Sequence, residues 1–299
     1  MGRAAWWVLA GCVCFEAVAG VPDTAPQLSA EQIVEKNVAA KGGLEAWRKI
    51  ETMSWVGHVE TATAAGARLP FMLEMKRPNK TRFAINAPQQ VSMRMFDGKQ
   101  GWKLRSTNSG QPELKPYSAA ETAFALDGQV IEGPLMDYQA KGSSVMLEDI
   151  GEIDGSKAYR LGVKLPSGAS YHIWIDAQSF LDVKSERESR NAFGKPGMVT
   201  KHYRNYRIVN GLQIPFLIEN STKTGKIADR MVIDKVVLNP PLDDRIFSKP
   251  NVPGGQQTVM PMGDDAPQMH NRPGGPGLPQ PPGRHRPDLG SIPGSGNAQ

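Results

Sequence analysis

The feature that most constrains this chain is a period of two. Met53, Trp55, Gly57 and Val59 alternate with Ser54, Val56, His58 and Glu60. Leu69, Phe71, Leu73 and Met75 then alternate with Pro70, Met72, Glu74 and Lys76. Successive side chains of a strand point to opposite faces, so this pattern marks strands with one face buried. It continues through Thr81, Phe83 and Ile85 and through Val91, Met93 and Met95. Asp97-Gly98 then turns the chain toward Trp102 and Leu104. Beyond Gly142 strands are predicted over 145–150, 159–165, 171–175, 181–186, 199–209, 212–219 and 230–238, with Asn210-Gly211 the strongest hairpin signal. Helices do not alternate with these strands. The expectation is therefore one antiparallel sheet of about eleven short strands in an α+β domain spanning 28–249.

Helices are predicted at two places. Ser29 followed by Gln32 reads as a capping box, Ile33, Val34 and Val38 fall at helical spacing, and Gly42-Gly43 closes the segment. A short second helix is expected over 44–50. Ser118 followed by Glu121 is another capping box, with Ala123, Phe124 and Leu126 behind it and Asp127-Gly128 as the stop.

The two ends read differently. Arg3 precedes an apolar run over 4–15, too short for the roughly 20 residues of a bilayer span, and Ala17-Val18-Ala19 fits signal-peptidase cleavage. The expected organisation is a signal peptide over 1–19, a leader over 20–27, the domain over 28–249, and a tail. The competing reading is a lipobox ending in Cys12, which would become a lipid-bearing N-terminus. Either way the chain is exported, and the periplasm is the expected compartment. The tail over 250–299 holds 11 of the chain's 24 prolines. Such a segment cannot bury enough apolar surface to offset its ordering entropy, so it is expected to be disordered.

Few residues suggest chemistry. The only cysteines are Cys12 and Cys14, both inside the expected signal, which leaves no thiol for catalysis, disulfides or metal. No G-x-S-x-G, H-E-x-x-H or phosphate-binding loop is present. His172 and Asp176 could share one face of a strand, but a solvent-facing polar stripe explains them better, and His58 with Glu60 is similar. The mixed-charge run 185–190 reads as a solvated strand end. Lys201, His202, Tyr203, Arg204, Asn205, Tyr206 and Arg207 interleave bases with aromatics. In an exported chain that suits an anionic lipid headgroup or acidic partner better than nucleic acid, although a plain surface strand is favoured over either. The positive signal is apolar. Thirteen methionines, many on predicted strands, suit a surface that adapts to varied hydrocarbon, although on the residues alone a plain core between sheet and helices is favoured.

The order of motifs resembles a known family. Lys41-Gly42-Gly43-Leu44-Glu45-Ala46-Trp47 ends the leading helix, and Asp97-Gly98-Lys99-Gln100-Gly101-Trp102 forms a hairpin. Trp174-Ile175-Asp176, Tyr206-Arg207-Ile208-Val209-Asn210-Gly211 and Leu238-Asn239-Pro240-Pro241-Leu242 follow in order. In this the chain is similar to the outer-membrane lipoprotein-sorting family, the LolA/LolB-like periplasmic carriers. The resemblance implies a curved antiparallel half-barrel whose concave face is lidded by helices, the segments 29–40 and 118–128 being the natural lids. It also implies a non-enzymatic carrier of lipid or lipoprotein acyl chains, with no cofactor and no metal. The expected cavity residues are Met53, Trp55, Phe71, Leu73, Met75, Phe83, Ile85, Met93, Met95, Trp102, Phe124 and Leu126. The alternative on the same fold is an envelope regulator or scaffold that binds another protein, with the tail as tether.

Overall fold

The computed structural model describes residues 27–62, 66–87, 90–107, 111–128, 131–190, 196–221 and 225–251. The signal expected over 1–19 and nearly all of the expected tail lie outside them. Helix α1 (Ala30–Ala40) starts as its capping box requires: the Ser29 hydroxyl accepts from the Gln32 N–H, and the Gln32 side chain accepts from the Ser29 N–H. Gly42, at φ 111°, lets the chain leave that helix beside the hairpin at Asn210-Gly211, where a Cβ would strike the Gly211 carbonyl. The Gln213 N–H then donates to the Lys41 carbonyl at 3.1 Å. Helix α2 (Leu44–Arg48) buries Trp47, whose ring N–H donates to the same carbonyl.

Among the described residues thirteen strands form one antiparallel sheet. Its first half is β1 (Thr52–Thr61), β2 (Arg68–Lys76), β3 (Lys80–Ala87), β4 (Gln90–Phe96), β5 (Gly101–Ser106) and β6 (Pro112–Pro116). Helix α3 (Ala119–Leu126), capped by Ser118 and Glu121, separates it from the second half. That half is β7 (Ser144–Ile153), β8 (Ser156–Lys164), β9 (Ser170–Asp176), β10 (Asp182–Arg190), β11 (Pro196–Val209), β12 (Leu212–Ser221) and β13 (Ile227–Leu238). The order is β6-β5-β4-β3-β2-β1-β13-β12-β11-β10-β9-β8-β7. Two meanders are thus joined where the first strand meets the last, and β6 and β7 are left as open edges. The count exceeds the expected eleven. The strand without an alternation signal is β6, whose five residues begin and end in proline, tolerated because the strand lies at an edge.

Register puts the large apolar residues on one face. Met53 and Trp55 face Met75 and Leu73 on one side and Leu238 and Val236 on the other. The same face runs through Val59, Met231, Ile218 and Tyr203. One buried cluster here gathers Trp47, Met53, Phe71, Met75, Ile214 and Phe216. A second packs Ala30, Ile33 and Val34 of α1 against Leu161, Val163, Ile173 and Ile175. At the β1–β13 bulge only a glycine fits, because a Cβ on Gly57 would strike the Val232 carbonyl. The opposite face carries Glu74 paired with Arg82, and Lys76 and Lys80 paired with Asp244. There the 3-10 helix Asp244–Phe247 packs over β3 and β4 and buries Phe247.

Candidate functional site

The apolar face lines a half-open hollow of about 1070 Å³, just above the roughly 300–1,000 Å³ usual for small-molecule sites. Its walls come from β5 and from β11, far apart in the strand order, so the sheet curves around it. Leu73, Phe83, Val199 and Met231 form the apolar wall, and Phe124 of α3 closes on them.

About half of the remaining lining is charged, because alternation puts cations on this face of β4 to β6. Arg94 lies beside Lys103, and Lys103 beside Lys115; Arg105 lies beside Glu113. Glu121 of α3 reaches down among them. It accepts from Lys103 at 2.7 Å and from Arg94 at 3.0 Å. Burial works to raise the Glu121 pKa, but the Lys103 ammonium, the Ser118 N–H and Arg94 outweigh it and hold the carboxyl at about 2. Arg94 also stacks on Tyr117, whose phenol is pushed up by burial. On the far wall Lys201, Asn220 and Asp229 are direct cross-strand neighbours, and Asn220 donates to Asp229. Lys201 is exposed, its side chain opening into the hollow. Desolvation inside the hollow, and then the Arg187 charge, lower its pKa, with Asp229 acting in the other direction. Tyr203, also facing inward, hydrogen-bonds Ser185 at 2.8 Å, and burial pushes its phenol far up.

The two expected lid segments differ physically. Helix α1 is seated in the sheet: Ile33 and Val34 are buried, and Asn37 donates to the Phe180 carbonyl and to Asp182. Helix α3 buries no residue at all. Besides Glu121, Arg187 holds it. That guanidinium lies 3.7 Å from the Phe124 ring centroid, donates to the Phe124 carbonyl at 3.0 Å, and pairs with Asp127 at 2.9 Å. Arg187 is 6% exposed.

Of the twelve expected cavity residues, Leu73, Phe83 and Phe124 line the hollow. Met53, Trp55, Phe71, Met75 and Ile85 share its face but belong to the packed cluster beneath. Leu126 is half exposed on α3. Met93, Met95 and Trp102 require a correction. Met93 pairs with Ala84 and Met95 with Arg82 and Trp102, which puts all three on the outer face. Alternation sets faces within a strand, whereas the pairing across each hairpin sets them between strands. The run 185–190 is also corrected: Ser185 and Arg187 point inward, not into solvent.

His172 and His58 both lie beside carboxylates. His172 lies 3.6 Å from Glu148 and edge-on to Trp174. Asp176 instead caps the next turn, accepting from the Ser179 N–H and hydroxyl at 2.7 Å and from the Gln178 N–H. His58 sits between Glu60 and Asp234 at 3.5 and 3.6 Å. Among the described residues no cluster of His, Cys, Asp and Glu is arranged to hold a metal ion, and no helix is long and apolar enough to cross a membrane.

The chain is therefore an open antiparallel sheet curved around an internal hollow. Solved structures similar to it include a LolA superfamily protein from Nitrosomonas europaea, at 18% identity and a TM-score of 0.45, covering 75% of this chain and 99% of that one. Another is a domain assigned to outer membrane lipoprotein sorting from Vibrio parahaemolyticus, at 10% identity and 0.48, covering 73% and 95%. A DUF1329 family protein from Desulfovibrio piger follows at 7% identity and 0.46, covering 73% and 97%. Structures of the kind expected from the motifs are thus among those similar to this chain. No family model and no curated protein matches the sequence.

Proposed function

We propose that this chain is an exported, non-enzymatic carrier that holds the acyl chains of a lipid or lipoprotein in the hollow under α3. The observation that carries the reading is the hollow itself: about 1070 Å³ of unfilled space on the face where a sheet normally packs its own side chains. Hydrocarbon entering it leaves water at about 0.8 kcal/mol per buried CH₂, against Leu73, Phe83, Phe124, Val199 and Met231. No covalent step is needed.

In this account α3 is the moving lid, while α1 stays fixed on the sheet away from the hollow. Opening α3 strips no buried side chain of its own from a core; it breaks the Glu121 and Arg187 contacts. Export through the segment 1–19 delivers the domain over 28–249 to the envelope, with the tail beyond it. The test is lipid extraction from protein purified without detergent, followed by mass spectrometry. Acyl lipid in stoichiometric amount is expected. Protein that carries none, and that binds no added acyl chain, defeats the reading.

A further inference from the structure

Hydrocarbon alone does not account for the charge inside the hollow. Five cations line it against three carboxylates. Glu121 satisfies Arg94 and Lys103, and Glu113 satisfies Lys115 at 2.7 Å and stands directly across the strand pair from Arg105. Asp229 is held by Asn220, which stands between it and Lys201 in the cross-strand order. Among the described residues no carboxylate pairs with Lys201. Its place in the strand is itself unusual. Along β11 the inward positions on either side are Val199 and Tyr203, so alternation calls for an apolar residue where Lys201 stands. An outward cation three positions further along the strand is paired: Arg204 donates to Glu219 at 2.7 Å and meets Asp154 at 2.8 Å. Its ammonium is accessible within the hollow and has no carboxylate partner, so an anion entering there gains a charge-assisted contact.

We propose that the hollow takes an anionic amphiphile, its carboxylate or phosphate head seated on Lys201 and its hydrocarbon laid along Leu73, Phe83, Val199 and Met231. The inference rests on the carrier reading and specifies its cargo class. One charged head among apolar walls fixes the orientation of the ligand, with the tail directed toward the underside of α3 at Phe124. A neutral chain of equal length gains the same burial but leaves Lys201 unpaired.

The test compares hexadecanoate, hexadecyl phosphate and hexadecanol on the full chain, by displacement of a fluorescent hydrocarbon probe. At least one anion binds about tenfold tighter than the alcohol, the scale of one charge-assisted hydrogen bond. Which anion wins separates a fatty acid from a phosphate monoester. Lys201→Met abolishes the preference for the anion over hexadecanol, while Lys201→Arg keeps it. Equal binding of all three by the native chain, or an anion preference that survives Lys201→Met, overturns the headgroup assignment and leaves the carrier reading standing. Failure of all three to bind overturns both.

Discussion

The Arg187→Met substitution probes what holds α3 over the hollow. Methionine keeps most of the side chain's length against Phe124 and Tyr171, whose ring centroids lie 3.7 and 4.9 Å from the guanidinium carbon. What it removes are the bonds to the Phe124 carbonyl at 3.0 Å and to Asp127 at 2.9 Å. The Arg187 and Asp127 side chains are only 7% and 15% exposed, so solvent replaces little of the loss. A hydrogen bond to a charged group is worth about 1.5–3 kcal/mol and a neutral one less. Relief from burying the guanidinium offsets part of that sum, leaving a net cost of about 2 kcal/mol. For a domain of this size, where each kcal/mol moves Tm by about 2–4 °C, the melting point falls by about 4–8 °C. Hydrogen exchange should quicken selectively over α3, which has no buried side chain of its own. A melting point shifted by less than about 1 °C, with unchanged exchange in α3, refutes the assignment of Arg187 as its anchor.

Two further predictions concern the faces of the sheet and the acid latch. Phe83→Ala weakens acyl-chain binding on the order of tenfold by removing part of the hollow's wall, whereas Met93→Ala, on the outer face, leaves it unchanged; equal effects would contradict the register. Glu121, held at about 2 against an ordinary 4.5, stabilises the fold fully above pH 4.5, and that contribution is lost as pH falls toward 2. Melting curves of the native chain and Glu121→Gln should therefore differ at pH 5 to 7 and converge near pH 2; a gap that persists at pH 2 excludes this origin.

Much of the architecture was legible in the residues themselves. Capping boxes at Ser29 and Ser118 form as read, because both partners lie within one turn and need no tertiary help. Asn210-Gly211 likewise makes its hairpin locally. What was not legible depends on distant partners. Pro112–Pro116 becomes a strand only because β5 offers an edge. Ile131, Leu135 and Met136 are buried in a stretch with neither helical nor strand period, so no local signal marks them. The burial of Arg187 requires Asp127, 60 positions earlier. Met93, Met95 and Trp102 cannot be told from hollow residues by pattern, because apolar alternation looks identical on either face. The cations of β4 to β6 occupy the inward positions instead, which pattern alone would have turned outward.

The most direct measurement is photo-crosslinking with a hexadecanoate that carries a diazirine at its chain end, followed by peptide mapping. Labels on Leu73, Phe83, Phe124, Val199 or Met231 are the predicted outcome. Labels confined to the outer face around Met72, Met93 and Trp102, or no saturable labelling at all, would mean that the hollow does not hold hydrocarbon.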